Sequence, residues 1–356
     1  MPVPTDELTK LSEKVKQASL PGDLADLINN YLSRFSSSEM PFTERERLDE
    51  YIDVVTTLPW EKRTPDTLDL THAKQILDSN HYGLNDLKER VLEYMAVMKL
   101  KKEKGDLPAG ADKPAQAGNH SLRAPILCFV GLVGTGKTTI AKSISQALGR
   151  NFVRIPFGGL GEVAMLRGRP RFDMVAEPGQ IMKALIRSGA KNPVILLDEI
   201  DRVEQTSRAS IMGALVEILD PEQNVAFFDS YLDYPFDLSE ALFIATANNT
   251  NNIATAVLDR LEVIPMPSYT DSEKIVIGSK FLLPRTLTEA GLNSQAVQIA
   301  DSVWPIIVRP LGYDAGMRTL ERTIEAIVRK VAKLIVEGKT SQVQLTESNI
   351  KEYLPA

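Results

Sequence analysis

The sequence predicts an α/β fold: a parallel sheet with helices on both faces, preceded by a helical bundle and followed by a smaller, mostly helical domain. Two observations carry this. From about residue 125 to 265, continuous apolar runs of strand length alternate with stretches of helical periodicity, the pattern of a parallel sheet buried on both sides. On either side of that region, apolar residues recur chiefly at helical spacing. At 356 residues the chain has room for two or three sizeable cores.

Taken in order, residues 5–58 read as short amphipathic helices that cannot bury their faces alone and so pack as a bundle. Thr43 with Glu46 three residues on predicts a capping box before Leu48, Ile52 and Val55, and Leu58-Pro59-Trp60 ends the segment. Leu84, Leu87, Val91, Leu92, Met95 and Met98 predict a long helix to about Lys102. Residues 103–121 are rich in Gly, Ala, Pro and Lys without periodicity, which predicts a mobile linker or surface loop. Strands are expected at 126–130, 152–155, 194–197 and 242–245, and helices at 179–187, 207–219 and 253–261. Beyond Pro267 helices are expected at 272–283, 295–308 and 315–336, with a short strand at 343–345. The domain division that follows is 1–62, 63–266 with 103–121 as an insertion, and 267–356.

Composition excludes several classes. A net charge of -6 offers no bulk attraction to nucleic acid or anionic membrane. The single cysteine, Cys128, falls in an apolar strand, which excludes a disulfide framework and points to a reducing compartment. His72, His81 and His120 do not pair with cysteine at zinc spacing. No apolar run reaches membrane length, the N-terminus lacks a signal-peptide pattern, and Leu354-Pro355-Ala356 is not a peroxisomal tripeptide. A soluble intracellular protein, of the cytoplasm or an organelle matrix, is expected.

The chemistry centres on Gly131-Leu132-Val133-Gly134-Thr135-Gly136-Lys137-Thr138, which fits G-x-x-x-x-G-K-[ST]. It sits between the apolar run 126–130 and a helix marked by Ile140, Ile144, Ala147 and Leu148, with Gly149 as its stop. Strand, glycine loop and helix aim backbone amides and a helix N-terminus at an anion; the lysine reaches the β- and γ-phosphates and the hydroxyl holds Mg²⁺. The chain is therefore expected to handle a nucleoside triphosphate. Val194-Ile195-Leu196-Leu197 ends in Asp198-Glu199, a carboxylate pair beside the loop, Asp198 to order the metal shell and Glu199 to polarise the attacking water. Asn248 closes the run 242–247 and is placed to orient that water; Asp259-Arg260 closes the next helix, and phosphoryl transfer commonly takes a cation in trans.

With these residues named, the chain resembles the AAA+ module of the Lon proteases. The resemblance rests on Asp198-Glu199-Ile200-Asp201, Leu219-Asp220-Pro221-Glu222-Gln223-Asn224, Thr246-Ala247-Asn248 and Leu258-Asp259-Arg260. It extends to Leu58-Pro59-Trp60, Ile76-Leu77-Asp78, His81-Tyr82-Gly83-Leu84 and Lys88-Glu89-Arg90 ahead of that module, and to residues 315–322 in its lid. It implies a P-loop AAA+ core with a helical lid, ATP or ADP with Mg²⁺ as cofactors, and an ATP site of Gly131 to Thr139 with Asp198 and Glu199. It also implies Thr138 and Asp198 at the metal, His81 and Tyr82 beside the adenine, Asn248 as first sensor and Arg318 as second. Arg260 becomes the arginine finger reaching a neighbouring nucleotide, hence a hexameric ring acting on unfolded or damaged polypeptides for protein quality control.

The chain departs from the family in three ways. Leu132-Val133 stand where Lon usually has Pro-Pro. In 168–175, the substrate-gripping pore loop, Asp173 takes the aromatic position and Met174 the aliphatic one, with Phe172 one residue early; a carboxylate offers no apolar platform. Nearby, Ala209-Ser210-Ile211 replace a common Gly-Asp-Pro. Lon's serine–lysine peptidase domain would follow the lid, and no G-x-S-x-G occurs, so this chain is expected to be a piece of a longer protease, or else a stand-alone motor. The competing expectation is a nucleic-acid ring ATPase, with Arg167, Arg169 and Arg171 lining a pore, against which stand the net charge and the family strings. The strings 126–129 and 244–248 resemble peroxisomal rather than mitochondrial Lon.

Overall fold

The computed structural model describes residues 5–35, 41–104, 126–309 and 316–355. Three helices open the chain, α1 (Thr5–Gln17), α2 (Gly22–Phe35) and α3 (Phe42–Thr57), followed by α4 (Leu70–Asn80) and α5 (Asn85–Glu103). The central region runs β1 (Ile126–Val130), α6 (Lys137–Leu148), β2 (Phe152–Pro156), α7 (Ala164–Arg167), α8 (Gln180–Ser188), β3 (Val194–Asp198) and α9 (Arg208–Leu219). It continues through β4 (Phe227–Asp229), β5 (Tyr234–Phe236), β6 (Leu242–Ala247), α10 (Thr255–Leu258) and β7 (Leu261–Pro265). The last part holds α11 (Asp271–Ile277), α12 (Leu283–Glu289), β8 (Val297–Ile299), α13 (Trp304–Val308), α14 (Arg318–Val336), β9 (Val343–Leu345) and α15 (Ile350–Tyr353).

The sheet has the order β2-β3-β6-β1-β7 and every pairing in it is parallel. Strand periodicity sorts its side chains between two cores. On β3, Ile195 and Leu197 join a core with α8, α9 and the N-terminal bundle, while Val194 and Leu196 join another with α4, α5 and α6. The bundle is seated by Tyr51, whose hydroxyl donates to Leu232 O at 3.0 Å, and by Trp60 packed on Phe236 at 5.0 Å. A third core, around Trp304, Ile324 and Val331, belongs to the lid. Cys128 is buried in β1, and burial pushes its thiol up to about 12, so it is an inert packing residue.

Four expectations are corrected. The capping box at Thr43 does not form: α3 starts at Phe42, its first turn closes on Pro41 O, and Thr43 lies inside it. The helix expected at 253–261 is a single turn, and Leu261 instead opens β7, an edge strand along β1. The helix expected at 295–308 is β8 followed by a short turn and α13; β8 pairs in parallel with β9. The helix expected at 272–283 runs further, through a widened turn at Gly278–Leu282 into α12. Most of the expected linker 103–121, and Ala315, lie outside the described residues.

Candidate functional site

The strand order builds the site. β6 lies between β3 and β1, so its C-terminal residues touch the carboxylate pair on one side and the glycine loop on the other. The loop turns through Gly134 and Gly136 at φ +84° and +93°, conformations that a β-carbon disfavours, and delivers Lys137 as the first residue of α6. The Thr135 hydroxyl donates to Leu132 O at 2.9 Å and the Thr139 hydroxyl to Gly136 O at 2.7 Å, which hold the loop curled.

Lys137 is buried, and its ammonium donates to Gly131 O at 2.6 Å, Leu132 O at 3.0 Å and Asn248 Oδ1 at 3.2 Å. Burial holds its pKa below the ordinary lysine value, opposed by the carboxylates of Asp198, Asp201 and Glu199. The contacts are neutral oxygens, so a cation is held in a low-dielectric cleft without a touching counter-ion. Asn248 Nδ2 is buried with no partner.

Asp198, at the end of β3, is buried and bonded twice: its Oδ2 accepts from Arg154 Nε at 2.6 Å and its Oδ1 from the Thr246 hydroxyl. Glu199 follows at φ +58°, its N–H donating to Thr246 Oγ1 at 2.9 Å and its carboxylate 3.7 Å from Arg202. Both carboxylates border a cleft of about 670 Å³, a size suited to a small-molecule ligand. Val133 to Thr139, His81, Tyr82 and Arg318 border it too; Gly131 and Leu132 contribute carbonyls to Lys137 instead.

The lid closes on backbone carbonyls of the loop. Met317 N–H donates to Gly134 O at 2.9 Å, and Tyr269, before α11, donates its hydroxyl to Thr135 O at 3.2 Å. On the far wall His81 Nε2 lies 2.9 Å from Ser143 Oγ, and Lys88 donates to His81 O at 2.7 Å. Burial, with the Lys88 charge, lowers the His81 pKa to about 4, so the ring is neutral at pH 7.

Curled amides at a helix start, a buried ammonium and two strand-end carboxylates suit a phosphate ester with its cation. A family model described as "ATPase family associated with various cellular activities (AAA)" matches residues 127–267, and the "Lon protease AAA+ ATPase lid domain" model matches residues 288–344. The chain is a Lon-family AAA+ ATPase module. It is 41% identical to the Lon protease of Halothermothrix orenii over 96% of this chain and 41% of that protein. It is 41% identical to Lon protease 2 of Thermus thermophilus, over 98% of this chain and 42% of the relative. To Lon protease 1 of Bacillus subtilis it is 40% identical, over 98% and 43%. The chain thus spans about two fifths of the length of these curated relatives.

Not every sequence-derived residue of this module meets at the cleft. Arg260 lies apart, its Nη2 on Asp220 Oδ2 at 2.7 Å and its Nη1 on Ala256 O at 2.7 Å. The segment between α7 and α8 is closed by pairing Arg169 with Glu177, and its tip stands free: Phe172 is 84% exposed and Met174 96%, with Asp173 exposed between them. The three nearby arginines are engaged within the chain: Arg167 pairs with Glu217, Arg169 with Glu162, and Arg171 lies 4.1 Å over the Tyr51 ring with Asp233 3.6 Å away. Sequence reasoning gave no role to Thr246, Arg154 or Tyr269. For Thr246 a signal existed, since a strand places it two residues before Asn248 and therefore on the same face.

Proposed function

We propose that the module hydrolyses ATP to pull polypeptides, as the motor of a Lon-type ATP-dependent protease working in a homohexameric ring. The observation that supports this most is that the loop after β1 and the carboxylates after β3 meet at one cleft that the lid closes, with the end of β6 between them bonded to both Lys137 and Asp198. In this reading the loop amides and Lys137 bind the phosphates, Thr138 and Asp198 hold Mg²⁺, and His81 and Tyr82 flank the base. Among the described residues no cluster of three or more His, Cys, Asp or Glu is placed to hold a metal. One carboxylate and one hydroxyl suit Mg²⁺, which keeps several waters and leans on substrate phosphates. When bound, the ion neutralises charge developing on the phosphates. Glu199 accepts the proton of the attacking water, Asn248 orients that water, and Arg318 answers to the γ-phosphate from the lid. Arg260 serves a neighbouring subunit, and residues 172–174 contact substrate. Residues 63–266 then form the nucleotide-binding unit and 267–356 the lid.

The nucleic-acid reading is not favoured, because Arg167, Arg169 and Arg171 are already paired within the chain. Among the described residues no helix is long and apolar enough to cross a membrane. A peroxisomal address draws no support from the relatives named above, which are bacterial.

The test is Glu199→Gln in the full chain. The amide keeps the size and the binding surface but cannot take a proton, so turnover should fall about 10²–10⁴-fold with ATP affinity retained. A turnover within threefold of the parent would remove Glu199 from this role.

A further inference from the structure

Thr246 is fully buried on β6, and its hydroxyl is used twice. The proton goes to Asp198 Oδ1, and the oxygen accepts the Glu199 N–H at 2.9 Å. A hydroxyl has one proton to give and lone pairs to receive, so a single atom ties a carboxylate to the next residue's amide. That amide belongs to a residue at φ +58°, where a side chain other than glycine's is disfavoured and persists only when its surroundings hold it. The register explains the reach: Leu197 on β3 pairs with Ala245 on β6, so Asp198 and Thr246 come next on adjacent strands.

We infer that Thr246 is a positioning residue for ATP hydrolysis, orienting Asp198 and locking Glu199 into the left-handed turn that points its carboxylate at the cleft. The inference rests on the ATPase reading of those two acids and deepens it. The predicted effect is selective. The loop amides and Lys137 hang on β1 and α6, so losing the hydroxyl disturbs the acids and leaves most of the phosphate cradle intact. Valine has the same shape without the hydroxyl; it strands Asp198 Oδ1 and the Glu199 N–H in a buried setting. Serine keeps the hydroxyl.

The experiment compares Thr246→Val, Thr246→Ser and Glu199→Gln in the full chain by steady-state kinetics and by amide hydrogen exchange at Glu199. Thr246→Val should lower kcat about ten- to a hundredfold, with KM for ATP within about threefold of the parent. Thr246→Ser should stay within about threefold in both. Without nucleotide, the Glu199 amide should be protected in the parent and in Thr246→Ser and exchange faster in Thr246→Val. Thr246→Ala replaces the valine variant if that chain does not fold. The inference is overturned if the serine variant is as impaired as the valine one, if KM rises in step with the fall in kcat, or if Glu199 protection is unchanged. An inactive Glu199→Gln beside an unimpaired Thr246→Val overturns the inference alone. A fully active Glu199→Gln overturns the reading of the acid and the inference with it.

Discussion

Replacing Gly316 by alanine should loosen the lid from the nucleotide loop and weaken nucleotide binding without unfolding either part. A β-carbon at 316 would lie 2.3 Å from Val133 O and 2.8 Å from Gly134 Cα. Non-bonded heavy atoms sit comfortably at roughly 3.5 Å, so the first contact is about 1.2 Å too short. Both neighbours are backbone and cannot swing aside as a side chain would. The two segments must therefore separate by about an ångström, stretching the Met317 N–H to Gly134 O bond, now 2.9 Å, and withdrawing Arg318. Overpacking of this kind costs about 1–3 kcal/mol. Directed at the closed arrangement that binds ligand, this is roughly a 5- to 150-fold loss of affinity, at about 1.4 kcal/mol per tenfold. The assay is titration of a fluorescent ATP analogue into parent and variant, with thermal unfolding measured alongside. The unfolding midpoint should change little, because the lid has a core of its own. An affinity within twofold of the parent would show that seating the lid on Gly134 contributes little to binding.

Arg260→Ala should lower hydrolysis by about 10³-fold, in line with an arginine supplied in trans, while leaving the nucleotide affinity of an isolated subunit unchanged. Mixed with Glu199→Gln subunits in a ring shown to co-assemble, it should regain activity; no recovery refutes the trans role. Asp173→Tyr, supplied with a Lon peptidase domain, should speed unfolding of a folded tagged substrate while basal ATPase stays similar. If instead Phe172→Ala abolishes unfolding and Asp173→Tyr changes nothing, the grip belongs to Phe172. For pH, native His81 protonates near 4 and its unfolded counterpart near 6.5. Between those values the unfolded chain binds the extra proton, so stability is fully present above about 6.5 and falls as pH drops toward 4. His81→Gln should flatten the dependence of Tm on pH in that window. A slope unchanged by the substitution would assign the acid loss to other groups.

How much could be read before the fold was seen depended on whether a signal was local. β1, β3 and β6 are continuous apolar runs because both faces of each are covered, and each was legible from about five residues. β7 was not: as an edge strand it mixes Glu262 with Val263 and ends in Pro265, and it follows a single helical turn. β8 is three residues long, too short for any period, and exists because β9 pairs with it. Thr43 and Glu46 have capping-box spacing, but the chain enters the helix through Pro41, two residues earlier. At the site, residues of the glycine motif and the carboxylate pair declare themselves by type and spacing. The partners that fix them do not: Arg154 on Asp198, Thr246 between two acids and Asp220 on Arg260 are set by strand order and by loops some forty residues apart.

The stacking of Arg171 on Tyr51, with Tyr31 beside it, has a mechanical consequence. The exposed tip at 172–174 begins at the next residue, so any tension on the tip would reach this joint before it reached the sheet. A cation over an aromatic face is worth about 0.5–2 kcal/mol, far less than a five-stranded ladder of backbone bonds. Were the tip to bear load, as the proposed motor would require, this joint would yield well before the sheet does. Because its tyrosines stand on α2 and α3, such a release would also be felt in the N-terminal helices.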